Sequence, residues 1–156
     1  MDLVSVKDYG VIIVELNEKE APLTVTNFVN LVNKGFYYGL TFHRIIKGFM
    51  IQGGCPKGNG TGGPGYTIKG EFKANGVDNQ ISHKRGVISM ARAADYNSAG
   101  SQFFIMHKGG DFLDGQYVAF GEVKTGIEVV DAIARVRTMT GDRPYEAVII
   151  SEISIE

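Results

Sequence analysis

The sequence predicts a mainly β protein, an antiparallel sheet or barrel of about eight strands with two α-helices. Three observations carry this. Short β-branched and aromatic runs, bounded by glycine and polar turn residues, recur along the chain. Only two stretches have helical periodicity, too few for the strand–helix alternation of a parallel sheet. Glycine is common, 21 of 156 residues, about 13% against a typical ~7%. With 4 prolines and 44% hydrophobic residues, that composition suits a turn-rich β fold and not a disordered chain.

Leu3 to Val6 and Val11 to Leu16 read as a hairpin, with Asp8 and Gly10 supplying the turn. The second run, GVIIVEL, is nearly continuous in apolar residues, as a central strand should be. Ala21 to Gly35 is the clearest helix. Pro22 suits the first helical position, where its missing N–H costs little, and Gly35 is a natural stop. Val25, Phe28, Val29 and Val32 form one apolar stripe, and Lys34 in the last turn suits the helix dipole. Thr24, Thr26, Asn27, Asn30 and Asn33 are expected on the wet face.

Phe36 to Leu40 is an aromatic connector, and Phe42 to Gly54 reads as two short strands around a tight turn. Cys55 to Gly76 is a long glycine-rich loop, with Tyr66 to Lys69 its one readable element. Gly86 to Ala91, Ser101 to Met106 and Val118 to Val123 read as further strands. In the second of these, parity sets Gln102, Phe104 and Met106 on one face, Phe103 and Ile105 on the other. Gly126 to Arg135 reads as a second helix, with Thr125 and Glu128 as a capping box and Ile127, Val130, Ile133 and Ala134 as its stripe. Thr138 to Pro144 is a turn region. Val148 to Ile155 is a closing strand with Ile150, Glu152, Ile153 and Ile155 in alternation.

A length of 156 residues suits one domain, spanning 1–156, with its own core. Sixteen basic residues balance 17 acidic ones, so no electrostatic footprint for nucleic acid or an anionic membrane is present. No apolar run is long enough to span a bilayer. The start, MDLVSVKDYG, lacks a basic region followed by an apolar block, so no signal peptide is expected. Cys55 is the one cysteine, which excludes an intrachain disulfide and makes a reducing cytoplasm the simplest compartment. We expect a monomer.

The stretch FHRIIKGFMIQGG, Phe42 to Gly54, holds the chemistry. Arg44 is a guanidinium on a mostly apolar strand, which needs a reason. One reason is a structural ion pair; the other is a ligand that the arginine faces. Met50 and Gln52 share a strand face. A three-residue turn at Ile46-Lys47-Gly48 pairs Arg44 with Met50 and keeps the three residues together. A two-residue turn pairs Arg44 with Ile51 and separates them.

Other chemistries are weak. Gly58, Gly60 and Gly63 match G-x-G-x-x-G, but Pro64-Gly65 follows and no helix does, so a dinucleotide site is not expected. Cys55 reads as an incidental small residue after a tight Gly-Gly turn, and not as a nucleophile. His43, His83 and His107 have no metal-ligand spacing, and neither metal nor cofactor is expected.

FHRIIKGFMIQGG, the following GNGTGG, SMA at Ser89 to Ala91, GSQFF at Gly100 to Phe104 and FLDGQYVAFGEV at Phe112 to Val123 together resemble a cyclophilin. The resemblance runs over nearly the whole chain in order, and the ARAADYNSAGSQFF loop looks bacterial. It implies a closed eight-stranded antiparallel β-barrel capped by two helices, at about 22–34 and 126–135. It implies peptidyl-prolyl cis-trans isomerisation of proline-containing peptides and unfolded proteins. Arg44 would then be the main catalytic side chain, and Gln52 would hydrogen-bond the substrate backbone beside it. Phe49, Met50, Phe104 and Leu113 would wall a proline pocket, and Ala91, Arg92 and Gln102 would line the groove for the preceding residue. Phe112 and Tyr117 stand where well-studied members often carry Trp and His, and Arg92 where many have Asn. These departures imply weakened cyclosporin binding, since an indole donor is missing. A non-catalytic proline-peptide module on the same barrel is the alternative, and a carrier of a small apolar ligand inside the barrel is a third reading.

Overall fold

The computed structural model describes residues 1–156. β1 (Asp2–Val6) and β2 (Gly10–Leu16) form the expected hairpin, with Asp8 at φ 70° and Gly10 at φ 128° in its turn. The other strands are β3 (Arg44–Ile46), β4 (Met50–Gly53), β5 (Val87–Met90), β6 (Phe103–Met106), β7 (Ala119–Thr125), β8 (Thr138–Met139), β9 (Arg143–Pro144) and β10 (Ile150–Ile155). The helices are α1 (Pro22–Asn33) and α2 (Ile127–Ala134). Eight strands make one antiparallel sheet in the order β10-β1-β2-β7-β5-β6-β4-β3, and β8 and β9 pair as a separate hairpin.

The sheet curls but does not close into the continuous barrel that the sequence led us to expect. Its edges, β3 and β10, meet only near their ends. Thr41 bridges to Ile149, with the Phe42 N–H donating to Val148 O and the Ile150 N–H to Leu40 O. Beyond that point the β8–β9 hairpin takes the place of β10, because the Ile45 N–H donates to Asp142 O. β10 also carries a bulge. Ser5 opposes Glu152 and Val6 opposes Ile150, leaving Ser151 over. The extra residue resets the face, so Ile150 and Ile153 are both buried and the simple alternation fails.

The two helices lie within a residue of their expected limits, but their polar residues do more than predicted. Pro22 opens α1 and Gly35 follows it at φ 71°. Thr24 and Asn27, expected to be wet, are buried. The Glu71 carboxylate accepts from the Leu23 and Thr24 N–H groups and from Thr24 Oγ1, and so caps the helix start from a distant loop. Asn27 donates to Gly100 O and accepts from the Tyr66 hydroxyl. The Thr125–Glu128 capping box does not form. Thr125 is still paired in β7 with Ile13, and Gly126 caps α2 at φ 94° without a side chain. A Cβ at Gly126 would collide with Val11 O.

Two apolar layers result. A cluster of 28 residues fills the inside of the curl, including Phe28, Phe42, Ile45, Ile51, Phe103 and Phe120. A ligand-carrying interior is therefore not available. A smaller cluster, Met50, Val87, Phe104, Met106, Leu113 and Ala119, lies on the outer face of β4, β5, β6 and β7. Parity separates the two as predicted: Phe103 and Ile105 point in, Phe104 and Met106 out. The outer cluster is the floor of the candidate site.

Candidate active site

The β3–β4 turn holds three residues, Lys47, Gly48 and Phe49, and starts one residue later than expected. Gly48 takes φ 81°, which a residue with a side chain rarely adopts. Arg44 therefore opposes Gln52 and Ile46 opposes Met50, so Arg44, Met50 and Gln52 share the outer face. The row continues across the sheet, since Gln52 opposes Phe104 and Phe104 opposes Ser89. Arg44 is exposed and makes no salt bridge, which removes the structural ion pair as its reason for being there.

A cleft of ≈ 290 Å³ is lined by 10 residues: Arg44, Phe49, Met50, Gln52, Ala91, Arg92, Phe104, Phe112, Leu113 and Tyr117. Every predicted site residue is among them except Gln102. Gln102 lines the adjoining cleft, which also takes in Gln52, Ala91 and Arg92. A larger cleft, ≈ 570 Å³, between β2 and residues 80–84 is mostly polar and has no apolar floor for a proline ring.

A hydrogen-bond relay orders the amides. Arg44 Nη1 donates to Gln52 Oε1 at 3.3 Å, and Gln52 Nε2 donates to Gln102 Oε1 at 3.1 Å. Gln102 Nε2 in turn donates to Gly60 O and Gly62 O, at 3.0 and 2.9 Å. One end is a guanidinium that can only donate, the other a pair of carbonyls that can only accept. That fixes which way both amides face. The glycine-rich loop thus serves to present backbone carbonyls, and Cys55 Sγ accepts from the Gly62 N–H at 3.2 Å within it.

The walls are braced from behind. Phe49 and Phe112 pack with ring centroids 5.7 Å apart and planes tilted by 33°, with Phe112 69% exposed at the rim. Tyr117 meets Phe104 edge-on at 6.0 Å. Arg92 does not point into open solvent. Its guanidinium lies 4.5 Å from the Tyr117 ring and 5.1 Å from both Phe72 and Tyr96. Its Nε and Nη2 donate to Gln116 O and its Nη1 to Ala93 O.

Sequence reasoning missed one triad, in which His83 and Ser89 are buried and Asp114 is partly exposed. His83 Nδ1 is 2.9 Å from Asp114 Oδ1, and His83 Nε2 is 2.9 Å from Ser89 Oγ. Asp114 also accepts from Ser82 Oγ and from the His83 N–H. The imidazole lies parallel to the Phe104 ring at 6.1 Å. Burial pushes the His83 pKa down, against the pull of Asp114, so the ring stays neutral. The order Asp–His–Ser resembles a hydrolase triad, but Ser89 is fully buried and cannot meet a substrate carbonyl. The triad fixes the strand beneath Phe104. His83 and Asp114 are 31 positions apart, so no local pattern could reveal it. His107 plays a similar part at the turn: its Nδ1 accepts the Gly48 N–H at 2.9 Å, and its Nε2 is 3.2 Å from Asp131.

The sequence model of the family "Cyclophilin type peptidyl-prolyl cis-trans isomerase/CLD" matches residues 2–155. The chain belongs to the cyclophilin family. Among related cyclophilins, peptidyl-prolyl cis-trans isomerase B of Bacillus subtilis is 53% identical over 114 residues, which is 73% of this chain and 76% of the relative. A Synechococcus elongatus peptidyl-prolyl cis-trans isomerase is 44% identical over 144 residues, 92% of each chain. A crystal structure of a Cryptosporidium parvum cyclophilin, obtained in the presence of the dipeptide Ala-Pro, superposes with a TM-score of 0.92. It is 33% identical in sequence, and the match covers 99% of this chain and 98% of that one. The bacterial relatives agree with the bacterial look of the loop at 91–104. Like the family, this cyclophilin is an isomerase of Xaa-Pro peptide bonds.

Proposed function

We propose that this isomerase works through Arg44, which stabilises the twisted Xaa-Pro amide electrostatically above an apolar pocket. The observation that carries the reading is a guanidinium without an ionic partner at the edge of a cleft floored by Met50, Phe104 and Leu113. The structure of the Cryptosporidium relative in the presence of Ala-Pro supports an Xaa-Pro segment as the ligand class.

Rotation about an Xaa-Pro bond meets a barrier of about 18–20 kcal/mol because it breaks amide resonance. No bond is made or broken, so the reaction needs no nucleophile. At the twisted geometry the proline nitrogen becomes pyramidal and gains a lone pair. A cation beside it stabilises that state more than the planar amide, which is differential binding. Arg44 supplies the cation, and its fork can also hold a substrate carbonyl. Gln52 Oε1 is held by Arg44 and one Nε2–H by Gln102, which leaves the second Nε2–H for the substrate backbone. Phe49, Met50, Phe104 and Leu113 grip the ring and exclude water. Ala91, Arg92 and Gln102 border the groove for the preceding residue, with Phe112 and Tyr117 at the rim. Each tenfold acceleration needs about 1.4 kcal/mol of preference for the twisted state.

The substrates we propose are proline-containing loops and unfolded chains in the cytoplasm, met by a monomer whose one domain spans residues 1–156. No helix is long and apolar enough to cross a membrane. Cyclosporin is a weak ligand in this reading, because Phe112 has no donor where an indole N–H would stand. Exchange NMR on a short Xaa-Pro peptide separates catalysis from mere binding. A catalyst speeds interconversion of the cis and trans signals at substoichiometric enzyme, whereas a binding module shifts signals without speeding exchange.

A further inference from the structure

Arg44 borders a second cleft. Across the outer face the row runs Phe104, Gln52, Arg44, and beyond β3 the Ile45 N–H bonds to Asp142 O and brings in the β8–β9 hairpin. Between β3 and that hairpin lies a cleft of ≈ 520 Å³ with no hydrophobic lining residue. His43, Arg44, Gln52, Asn59, Thr140 and Arg143 supply its side chains. Two of them are guanidinium groups and none is a carboxylate. Neither arginine is in a salt bridge. Arg143 Nη2 donates to Gly58 O at 3.0 Å, which holds the side chain in place while its other N–H groups remain free to donate.

His43 gives the second, independent sign. Its side chain is buried, 7% exposed, yet neither ring nitrogen has a hydrogen-bond partner. Buried polar groups are almost always paired, and an unpaired one is costly. Burial first, then the charges of Arg143 and Arg44, hold the imidazole neutral, so it offers an N–H and adds no third charge. Two cations and one unmet donor around a polar cleft match an anion that accepts several hydrogen bonds.

We propose that this cleft is an anion subsite of the isomerase, which takes the carboxylate of an Asp or Glu side chain in the peptide segment following the proline. The inference rests on the isomerase reading above. The groove for the preceding residue is at Ala91, Arg92 and Gln102, on the β5–β6 side. The chain leaving the proline crosses Arg44 toward Arg143. A carboxylate there bridges the two guanidinium groups beside His43. Specificity for acidic segments then comes from KM, and it is screened by salt.

Peptides with Glu or Gln at the first, second or third position after proline test it. Turnover is read by exchange NMR, and affinity by titration of the labelled protein with the same peptides. In the wild type, Glu at one of these positions should raise kcat/KM at least about fivefold over Gln, mainly through KM, and the advantage should shrink as salt rises from about 0.05 to 0.5 M. Arg143→Gln should erase the advantage while the Gln peptide is turned over as before. Arg143→Glu should instead favour a Lys peptide, and Arg143→Lys should restore part of the Glu preference. Near-UV circular dichroism checks that each variant is folded. Equal affinity for Glu and Gln peptides at every position overturns the subsite, as does a Glu preference that survives in both Arg143→Gln and Arg143→Glu. Failure of the wild type to turn over the Gln peptide counts against the isomerase reading instead, and the titrations still decide the subsite.

Discussion

Arg44 and Gln52 are direct cross-strand partners on β3 and β4, and the Arg44 Nη1 donates to Gln52 Oε1 at 3.3 Å. The three-residue turn around Gly48 sets this pairing. The relay that continues through Gln102 to the carbonyls of Gly60 and Gly62 holds it in one orientation. The glycine-rich loop thereby sets the direction of the Gln52 amide.

Gln102→Leu should break that relay without touching Arg44 or Gln52. Gln52 loses its second anchor and can rotate, so kcat/KM on a neutral Xaa-Pro peptide should fall about threefold to tenfold, the equivalent of one lost hydrogen bond. Gln102→Glu keeps an acceptor for Gln52 but cannot donate to Gly60 O and Gly62 O, and should lose activity as well. Full activity in both variants removes the relay from the account.

Arg92 is a brace for the groove. Arg92→Ala removes three aromatic contacts and the bonds to Gln116 O. Tyr117 then loses its backing. The expected result is a raised KM with little change in kcat, and a stability loss of about 1–2 kcal/mol, measured by denaturant unfolding.

Phe112→Trp introduces a donor at an exposed rim position packed against Phe49. Because the ring is 69% exposed, the larger indole fits without core rearrangement. Cyclosporin inhibition of isomerase activity should tighten about fivefold to tenfold, the worth of one added hydrogen bond. An unchanged inhibition constant would mean that Tyr117 and Arg92 limit the fit.

Stability should fall on the acid side through the histidines. Burial is the largest cause that lowers the pKa of His83, His43 and His107 from 6.5 in the folded protein. Below about pH 6.5 the unfolded chain takes up protons that the folded chain refuses, so stability drops as pH falls. Asp2 acts with the opposite sign. Burial raises its pKa from 3.8 to about 6, so its carboxyl favours the folded state at low pH, and that contribution disappears between pH 3.8 and about 6. Thermal unfolding should give a lower Tm at pH 5 than at pH 7. His83→Gln should narrow that gap, whatever its own Tm at pH 7. A flat profile contradicts the neutral, buried assignment of His83.

Much of this is legible in the sequence, for physical reasons that differ by element. Pro22 and Gly35 mark α1 because each has a backbone preference that acts locally. The inner and outer faces of β6 follow from parity alone. The face of Arg44 did not, since it depends on where a three-residue turn begins, and apolar pattern is the same on both sides of that choice. Thr24 and Asn27 read as wet because their partners, Glu71, Gly100 and Tyr66, come from two loops at least 39 residues away. Thr125 and Glu128 matched a capping box, but pairing within β7 claimed Thr125 first. Closure of the barrel was implied by the family resemblance, the strand count allowing either a sheet or a barrel, whereas the β8–β9 hairpin occupies the gap. The His83 triad and the empty partners of His43 are invisible to any one-dimensional pattern, because both are statements about long-range packing.

The measurement closest to the centre of the account is the turnover of Arg44→Ala on a short neutral Xaa-Pro peptide, followed by exchange NMR beside the wild type. Arg44 is exposed and carries no salt bridge, so the variant should keep its fold and its stability to within about 0.5 kcal/mol. Its isomerase rate should fall at least about tenfold, the loss of 1.4 kcal/mol or more of preference for the twisted amide. A folded Arg44→Ala protein that turns the peptide over as fast as the wild type would contradict the mechanism.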